Sequence, residues 1–171
     1  FLPKENNWWG PAGKVGPCGP CSEMFYWNGK KKAPKKFEPE NKKWVEIWND
    51  VFMEYVKTKE GKYEKAKQKN VDTGMGVERT LAVLNGFDDN YLTSAFKPII
   101  AEIEKSRVKK YEKNKKEMRI IADHLRAAVF ILGDERAVKP SNIGQGYVLR
   151  RLIRRAVRYG KLLGMKENFT T

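Results

Sequence analysis

The sequence predicts an α+β fold in which antiparallel strands come first and helices follow. Trp44 to Val56 alternates in side-chain character along its length, which is typical of a strand with two different faces. From about Asp88 onward the apolar residues instead recur at helical spacing. A chain of 171 residues can form one domain or two small ones. We therefore expect a first domain over residues 1–87 and a helical domain over residues 88–171.

The first half contains two segments that we predict to be irregular. Residues 1–21 are rich in glycine and proline, which favours a well-packed loop region. Residues 30–43 are dense in lysine and contain Pro34 and Pro39, so an exposed loop is expected there. Gly61 to Asn70 then indicates a hairpin excursion into a second strand, and this strand delivers Asp72.

One polar residue interrupts the apolar face of the Trp44–Val56 strand. That face is otherwise made of Val45, Ile47, Val51, Met53 and Tyr55, and Asn49 is the exception. A buried polar group needs a hydrogen-bond partner. Asn49 is therefore expected either to bond a neighbouring backbone group or to face a ligand.

Three helical segments are predicted in the second half. Tyr91 to Lys105 and Met118 to Leu132 carry apolar residues at helical spacing, and the lysine-dense stretch between them, 106–116, is predicted to be a solvated loop. The last helix, Gly146 to Leu163, is the most clearly amphipathic. Its apolar stripe consists of Leu149, Leu152, Ile153, Ala156 and Val157.

Arginines fill most of the remaining surface of this last helix, and no acidic residue accompanies them. They are Arg150, Arg151, Arg154, Arg155 and Arg158. A solvated helix normally mixes charges of both signs, because i,i+4 ion pairs stabilise it. An arginine-only surface instead favours binding to a phosphate backbone.

Composition agrees with a polyanionic partner and argues against several other classes of protein. The net charge is +14, and lysine and arginine release condensed counterions when they neutralise phosphates. A lysine-biased proteome or a need for solubility explains part of this excess. No apolar run approaches the ~20 residues that a membrane-spanning helix needs, and the first residues lack a signal-peptide pattern. A cytoplasmic protein without a membrane partner is expected.

The cysteines do not predict a metal centre. Cys18 and Cys21 are the only two, which excludes a disulfide framework. Structural zinc needs four ligands, and two cysteines with the distant His124 do not supply them. We therefore expect no zinc in this segment and predict a tight turn at these residues.

The most informative stretch is Val71 to Arg79, with the sequence VDTGMGVER. Gly74 and Gly76 let the backbone approach a ligand closely because they have no Cβ. Arg79 offers a planar set of donors suited to phosphate, at the start of a predicted helix. The pattern favours a nucleotide site, although Gly-x-Gly also occurs in ordinary tight turns.

Several blocks in order resemble the alanyl-tRNA synthetases, a family of class II aminoacyl-tRNA synthetases. The blocks are Gly16–Tyr26, Glu46–Met53, Val71–Arg79, Ile121–Ala127 and Pro140–Arg151, and the resemblance runs from about Asn7 to Gly164. Asp72 to Arg79 resembles the third class II motif, while the first two motifs have no counterpart. The resemblance therefore implies an internal piece of the enzyme. It would comprise the end of the aminoacylation domain, with part of its antiparallel sheet, and the start of the tRNA-recognition domain.

The resemblance implies an ATP-dependent ligase that activates alanine and transfers it to tRNA(Ala). Asp72 would hold the ammonium group of alanine, and Arg79 would contact ATP phosphates; these are the expected catalytic residues. Gly74 would leave room for the substrate, and Gly74 and Gly76 would line the ATP site. The alanine pocket would also include Trp9, Asn49 and Val51. Without the first two motifs, we expect the isolated chain to have little or no activity.

The resemblance also implies Mg²⁺, but its ligands stay unassigned. Glu46 and Asn49 resemble an acidic–polar pair that binds magnesium in class II sites. In a regular strand, residues i and i+3 point to opposite faces, which opposes a shared metal. A bulge between the two residues would remove this objection.

For tRNA binding, the resemblance points to Asn142 as a contact to a G·U wobble pair in the acceptor stem. A helix N-cap is the alternative role for this residue. The helix arginines Arg150, Arg151, Arg154 and Arg155 are the expected phosphate contacts. A non-catalytic tRNA-binding module derived from a synthetase is the alternative function, and a duplex-RNA or DNA binder is more distant.

Overall fold

The structure is a computed structural model that describes residues 4–107 and 109–166. The chain divides into two compact units, residues 1–90 and 91–171. The first contains β1 (Trp8–Trp9), β2 (Gly16–Trp27), β3 (Trp44–Lys57), β4 (Tyr63–Met75) and α1 (Val77–Leu84). The second contains α2 (Lys97–Arg107), α3 (Lys115–Gly133) and α4 (Gly144–Leu163). The predicted α+β architecture is confirmed.

The four strands form one antiparallel sheet in the order β1-β2-β3-β4. β3 is therefore central, and both of its neighbours pair with it along most of its length. The strand predicted at Trp44–Val56 is confirmed, as is a second strand that carries Asp72. Among the described residues, no helix is both long and apolar enough to cross a bilayer.

The prediction of an irregular segment over residues 1–21 is wrong at residues 8–9, which form β1, and from residue 16 onward. β2 begins at Gly16 and continues through Pro17 and Pro20. The glycine at position 19 has a packing reason, because a Cβ there would collide with the backbone carbonyl of Phe52 on β3. Gly19 thus permits a close approach of β2 to β3, although the glycine- and proline-rich composition of this segment suggested a loop.

One of the irregularities in the pairing of β3 lies near its N-terminal end. Trp48 lies across from Met24, but Glu46 lies across from the next β2 residue, Phe25. Ile47 is therefore the extra residue of a β-bulge. Because of it, Glu46 and Asn49 lie on the same face of the sheet, and the objection drawn from regular strand geometry does not apply.

Residues 28–43 connect β2 to β3 without helix or strand, as predicted. Their seven lysines are all exposed. The ring of Phe37 anchors this loop, since its centroid lies 4.8 Å from that of Phe25 and 5.5 Å from that of Trp44. The backbone N–H of Asn28 also donates to the carbonyl oxygen of Lys43 at 2.8 Å.

The core of the second unit is built from α2, α3 and the residues around the end of α4. Its buried members are Phe96, Ile100, Ile103, Tyr111, Met118, Ile121, Ala122, Leu163 and Met165. The prediction of a solvated loop at 106–116 is wrong in part, because Tyr111 is only 4% exposed and its hydroxyl accepts a hydrogen bond from Arg119. A single aromatic residue among lysines gives no periodic signal, which explains the error.

α4 confirms the predicted amphipathic helix. Leu149 and Ala156, at the centre of the apolar stripe, are fully buried. The helix ends at Leu163 and is capped by Gly164, whose φ of 77° lies in the left-handed region that glycine adopts without steric cost. Gly146 is buried at its start, where a Cβ would collide with the carbonyl of Lys139 and the hydroxyl of Ser141.

Candidate functional site

Six residues from three strands share one face of the sheet. Val51 of β3 lies across from Asp72 of β4 and from Cys21 of β2, while Asn49 lies across from Gly74 and from Glu23. Residues directly opposite in antiparallel strands have their side chains on the same side. We call this set the pocket face: Cys21, Glu23, Asn49, Val51, Asp72 and Gly74. It brings together four residues of the expected alanine pocket.

The β4 edge of the pocket face is open to solvent. Asp72 is exposed, and its carboxylate accepts a hydrogen bond from the backbone N–H of Thr73 at 3.1 Å. No heavy atom lies within 4 Å of the position that a Cβ on Gly74 would occupy. A ligand can therefore approach the backbone at Gly74 beside a negatively charged group, which suits a small cation.

Gly76 and Arg79 fix the start of α1 against β3. The backbone N–H of Gly76 donates to the carbonyl oxygen of Ile47 at 2.9 Å. Arg79 Nη1 donates to the carbonyl oxygen of Glu46 at 2.9 Å, and it lies 3.4 Å from the Glu46 carboxylate. The Arg79 side chain is still 48% exposed, so most of its donors remain available to an anion.

Sequence reasoning missed Glu23, and its prediction of a tight turn at Cys18 and Cys21 is wrong, because these residues belong to β2. Glu23 and Cys21 lie at the buried side of the pocket face. Asn49 Nδ2 donates to Glu23 Oε1 at 3.3 Å. Burial raises the pKa of the Glu23 carboxyl, and the charge of Glu46 raises it further. Burial also raises the pKa of the Cys21 thiol, with a second contribution from Glu23. The order of residues in β2 carried no signal for these contacts, because they depend on the pairing register with β3.

The two adjacent tryptophans have different environments. The ring of Trp8 packs against Tyr55 and Tyr63, with centroid distances of 5.7 Å to each. Trp9 lies across from Gly19 and is 37% exposed. Trp9 is the member of the pair that remains accessible to a ligand, but β2 separates its strand from Asn49 and Val51.

The cysteines and carboxylates do not assemble a metal-binding cluster in the described part of the chain, where no group of three or more His, Cys, Asp or Glu could hold an ion. Cys18 and Cys21 are buried free thiols, and Cys18 Sγ lies 3.7 Å from the carbonyl oxygen of Tyr55. Glu46 is the carboxylate that contacts Arg79.

A second candidate site lies along α4. A concave surface there is lined by the α4 arginines together with His124 and Tyr147. Within residues 4–107 and 109–166, none of these five arginines forms an ion pair with a carboxylate. The guanidinium groups of Arg151 and Arg155 lie 5.8 and 5.9 Å from the ring centroids of Tyr147 and Tyr159. The result is an uncompensated positive surface suited to phosphates.

Asn142 lies two residues before α4 and contacts one of its arginines. Arg150 Nη1 donates to Asn142 Oδ1. The N-cap residue of α4 is Ile143, so the alternative role of Asn142 as N-cap is wrong. The hydrogen bond occupies the amide oxygen and leaves the Nδ2 group directed elsewhere as a donor.

Comparison with known proteins identifies the family. The family model described as tRNA synthetases class II (A) matches residues 2–171. The chain belongs to this family. Membership in the class II synthetases was expected from the ordered sequence blocks, and it is confirmed.

The relatives within the class II synthetases are longer proteins named alanine–tRNA ligase. The chain is 57% identical to the one from Treponema denticola over 99% of its own length and 29% of the relative's. It is 53% identical to the one from Borrelia hermsii, covering 98% of the chain and 29% of the relative. It is 46% identical to the one from Petrotoga mobilis, covering 97% of the chain and 20% of the relative. The chain thus spans less than a third of the length of these ligases.

Proposed function

We propose that this chain is part of an alanine–tRNA ligase and contributes the alanine pocket, part of the ATP site and a tRNA-binding surface. The observation that carries the proposal is the register of β3 and β4. It puts Asp72 and Gly74 directly across from Val51 and Asn49. The names of the relatives support the same activity, and the proposed enzyme is cytoplasmic.

In this proposal Asp72 is the counter-ion of the alanine ammonium group. An exposed carboxylate next to an unobstructed glycine lets a small zwitterion approach the backbone of β4. Val51, 6% exposed and across from Asp72, offers an apolar contact for a methyl group. Asn49 offers its amide, and Trp9 closes the pocket from the β1 side.

Arg79 contacts the terminal phosphates of ATP. Adenylyl transfer depends mainly on positioning and charge neutralisation, and Arg79 is held in place by the Glu46 carbonyl before any ligand arrives. Gly74 and Gly76 keep the backbone clear beside the nucleotide. Mg²⁺ commonly uses one or two protein carboxylates together with substrate phosphates. Glu46 fits that requirement, and the ion would neutralise phosphate charge there.

The α4 arginines bind the phosphate backbone of tRNA(Ala). Arg150, Arg151, Arg154 and Arg155 have no competing carboxylate partner among the described residues. The Nδ2 group of Asn142 is placed to donate to a base edge, because its Oδ1 is engaged by Arg150. A G·U pair in the acceptor stem is the proposed target.

Alanine-dependent ATP–pyrophosphate exchange tests the proposal. The assay is run on the chain alone and on the same chain continued towards the N-terminus, which we call the extended protein. Exchange in the extended protein but not in the chain alone is the expected result, because the first two class II motifs would complete the ATP site. A filter-binding assay with tRNA(Ala) on both proteins runs in parallel.

The rival function is a tRNA-binding module without catalysis. The uncompensated arginine surface of α4 favours it, since RNA binding needs no contribution from the sheet. Absence of exchange from both proteins, with tRNA binding retained, would establish this rival. Exchange with serine or glycine at the rate seen with alanine would contradict the proposed amino-acid specificity.

A further inference from the structure

Glu23 makes a contact that the proposed function leaves unexplained. It lies directly across from Asn49 in the β2–β3 pairing, and Asn49 Nδ2 donates to its Oε1 at 3.3 Å. The carboxylate is only partly exposed. No lysine or arginine neutralises it within the described residues.

A carboxylate in this place decides which way the amide of Asn49 points. An ionised carboxylate only accepts hydrogen bonds, whereas an amide has a donor end and an acceptor end. The NH₂ group must therefore face Glu23, because the reversed amide would bring two acceptors together. The orientation of Asn49 Oδ1 follows from this contact, and the Cys21 thiol is a second hydrogen-bonding neighbour of the Asn49 side chain.

Asn49 Oδ1 is a buried acceptor without a hydrogen-bond partner in the described part of the chain. Leaving a buried acceptor without a hydrogen bond is energetically unfavourable. The Asn49 side chain shares its face with Gly74 and Asp72. A ligand N–H group on this face would satisfy Oδ1, and an ammonium group has three donors to share between Oδ1 and the Asp72 carboxylate.

We propose that Glu23 is a positioning residue for the amino-acid substrate: it holds the Asn49 amide so that Oδ1 accepts a hydrogen bond from the substrate ammonium group. This inference rests on the proposed function and adds a residue to its alanine pocket. Glu23 acts through Asn49 and has no contact of its own with the substrate.

The environment of Glu23 supports a functional reason for its presence. Burial and the neighbouring Glu46 both raise the pKa of its carboxyl, so the charged form is held in an unfavourable place. Unfavourably placed ionisable groups concentrate at functional sites. A residue retained for stability alone would be better served by a neutral side chain.

Glu23→Ala and Glu23→Gln in the extended protein test the inference by alanine-dependent exchange. Glu23→Ala is expected to raise the KM for alanine by about 10-fold or more, as for a lost hydrogen bond to a charged group, with the KM for ATP unchanged. Glu23→Gln can present its own oxygen to Asn49 Nδ2 and is expected to stay within about 3-fold of the unchanged protein. Glu54→Ala, which removes a partly exposed β3 carboxylate paired with Lys69, is the matched control and should alter neither KM.

A double-mutant cycle with Asn49→Ala keeps the inference testable even if one variant is poorly stable. If Glu23 acts only through Asn49, adding Glu23→Ala to Asn49→Ala changes the KM for alanine no further. Additive effects of the two changes would overturn the inference. An unchanged KM in Glu23→Ala, or a loss in Glu23→Gln as large as in Glu23→Ala, would overturn it too. Absence of exchange from the unchanged extended protein would instead contradict the proposed function, and the role of Glu23 would fall with it.

Discussion

Arg79 and Glu46 are joined twice, because one guanidinium nitrogen donates to the backbone carbonyl oxygen of Glu46 at 2.9 Å and lies 3.4 Å from its carboxylate. The backbone contact does not depend on the Glu46 side chain, so it holds the arginine in place whatever the carboxylate binds. An arginine placed in advance loses less conformational entropy when an anion arrives. α1 therefore begins with a guanidinium group already oriented, as the proposed phosphate contact requires.

Replacement of Arg79 should abolish amino-acid activation and spare RNA binding. Arg79→Ala removes a charge at the terminal phosphates, and loss of one such electrostatic contact typically costs about 100-fold or more in rate. ATP–pyrophosphate exchange by the extended protein measures the loss, and filter binding measures tRNA affinity. The control is Lys69→Ala on β4, which removes only a surface ion pair with Glu54 and should leave both values unchanged. Equal loss of exchange and of tRNA binding would contradict the two-site division.

Replacement of the α4 arginines should have the opposite effect to replacement of Arg79: it should weaken RNA binding and spare amino-acid activation. Replacement of both Arg150 and Arg154 by alanine should weaken tRNA binding and reduce the salt dependence of log K by about one unit per lost phosphate contact. Adenylate formation should not change. Titration of tRNA at several salt concentrations measures the slope. Lys105→Ala on α2, where the lysine is paired with Glu102, is the matched control, and a similar change of slope there would indicate a general charge effect.

Gly19 and Gly74 should respond differently to the same substitution. Gly19→Ala places a Cβ against the Phe52 backbone and should destabilise the first unit by about 1–3 kcal/mol or more, as overpacking does. Gly74→Ala meets no atom within 4 Å, so it should leave stability unchanged while raising the KM for alanine. Urea unfolding and exchange kinetics separate the two outcomes. Loss of stability in Gly74→Ala would show that the glycine is required by the sheet and not by a ligand.

Stability should depend on pH through Glu23. Its pKa is raised above the usual value of 4.5 in the folded protein, so the folded state disfavours the charged form. The contribution of this group to the free energy of unfolding is complete below about pH 4.5 and falls as pH rises through the folded pKa. Glu23→Gln should therefore raise the thermal midpoint at about pH 7.5 and give no advantage at about pH 4. An equal shift at both pH values would exclude the ionisation of Glu23 as the cause.

The parts of the fold that the sequence predicted are those with long periodic patterns. β3 repeats every two residues and α4 every 3.6, and each pattern continues long enough to exclude the other. Asp72, Gly74 and Arg79 were predicted because they are neighbours in one short motif. Their role as binding residues stays a prediction, which the variants above test.

The remaining features depend on contacts between distant residues. Glu23 and Asn49 are 26 residues apart, and only the β2–β3 register brings them together. Gly19 and the prolines of β2 suggested a loop because these residue types locally disfavour strands. The strand that pairs with them, β3, is distant in the sequence. Tyr111 was missed because one aromatic residue among lysines has no period to detect.

The bulge at Ile47 has a consequence for how this hairpin can change in length. Side chains alternate with a period of two, so a single inserted residue reverses the parity of every position beyond it. Trp44, which holds the aromatic anchor of the 28–43 loop, is an odd number of positions from Asn49, so regular alternation would place the two on opposite faces. They share a face only because Ile47 is an extra residue between them. Deletion of this one residue would remove the bulge and leave Glu46 and Trp44 on their present face, whereas deletion of a second residue would exchange the two faces of the outer part of β3. The hairpin can thus lose the residue at position 47 without exposing its buried face, because that residue lies outside the regular pairing of β2 with β3.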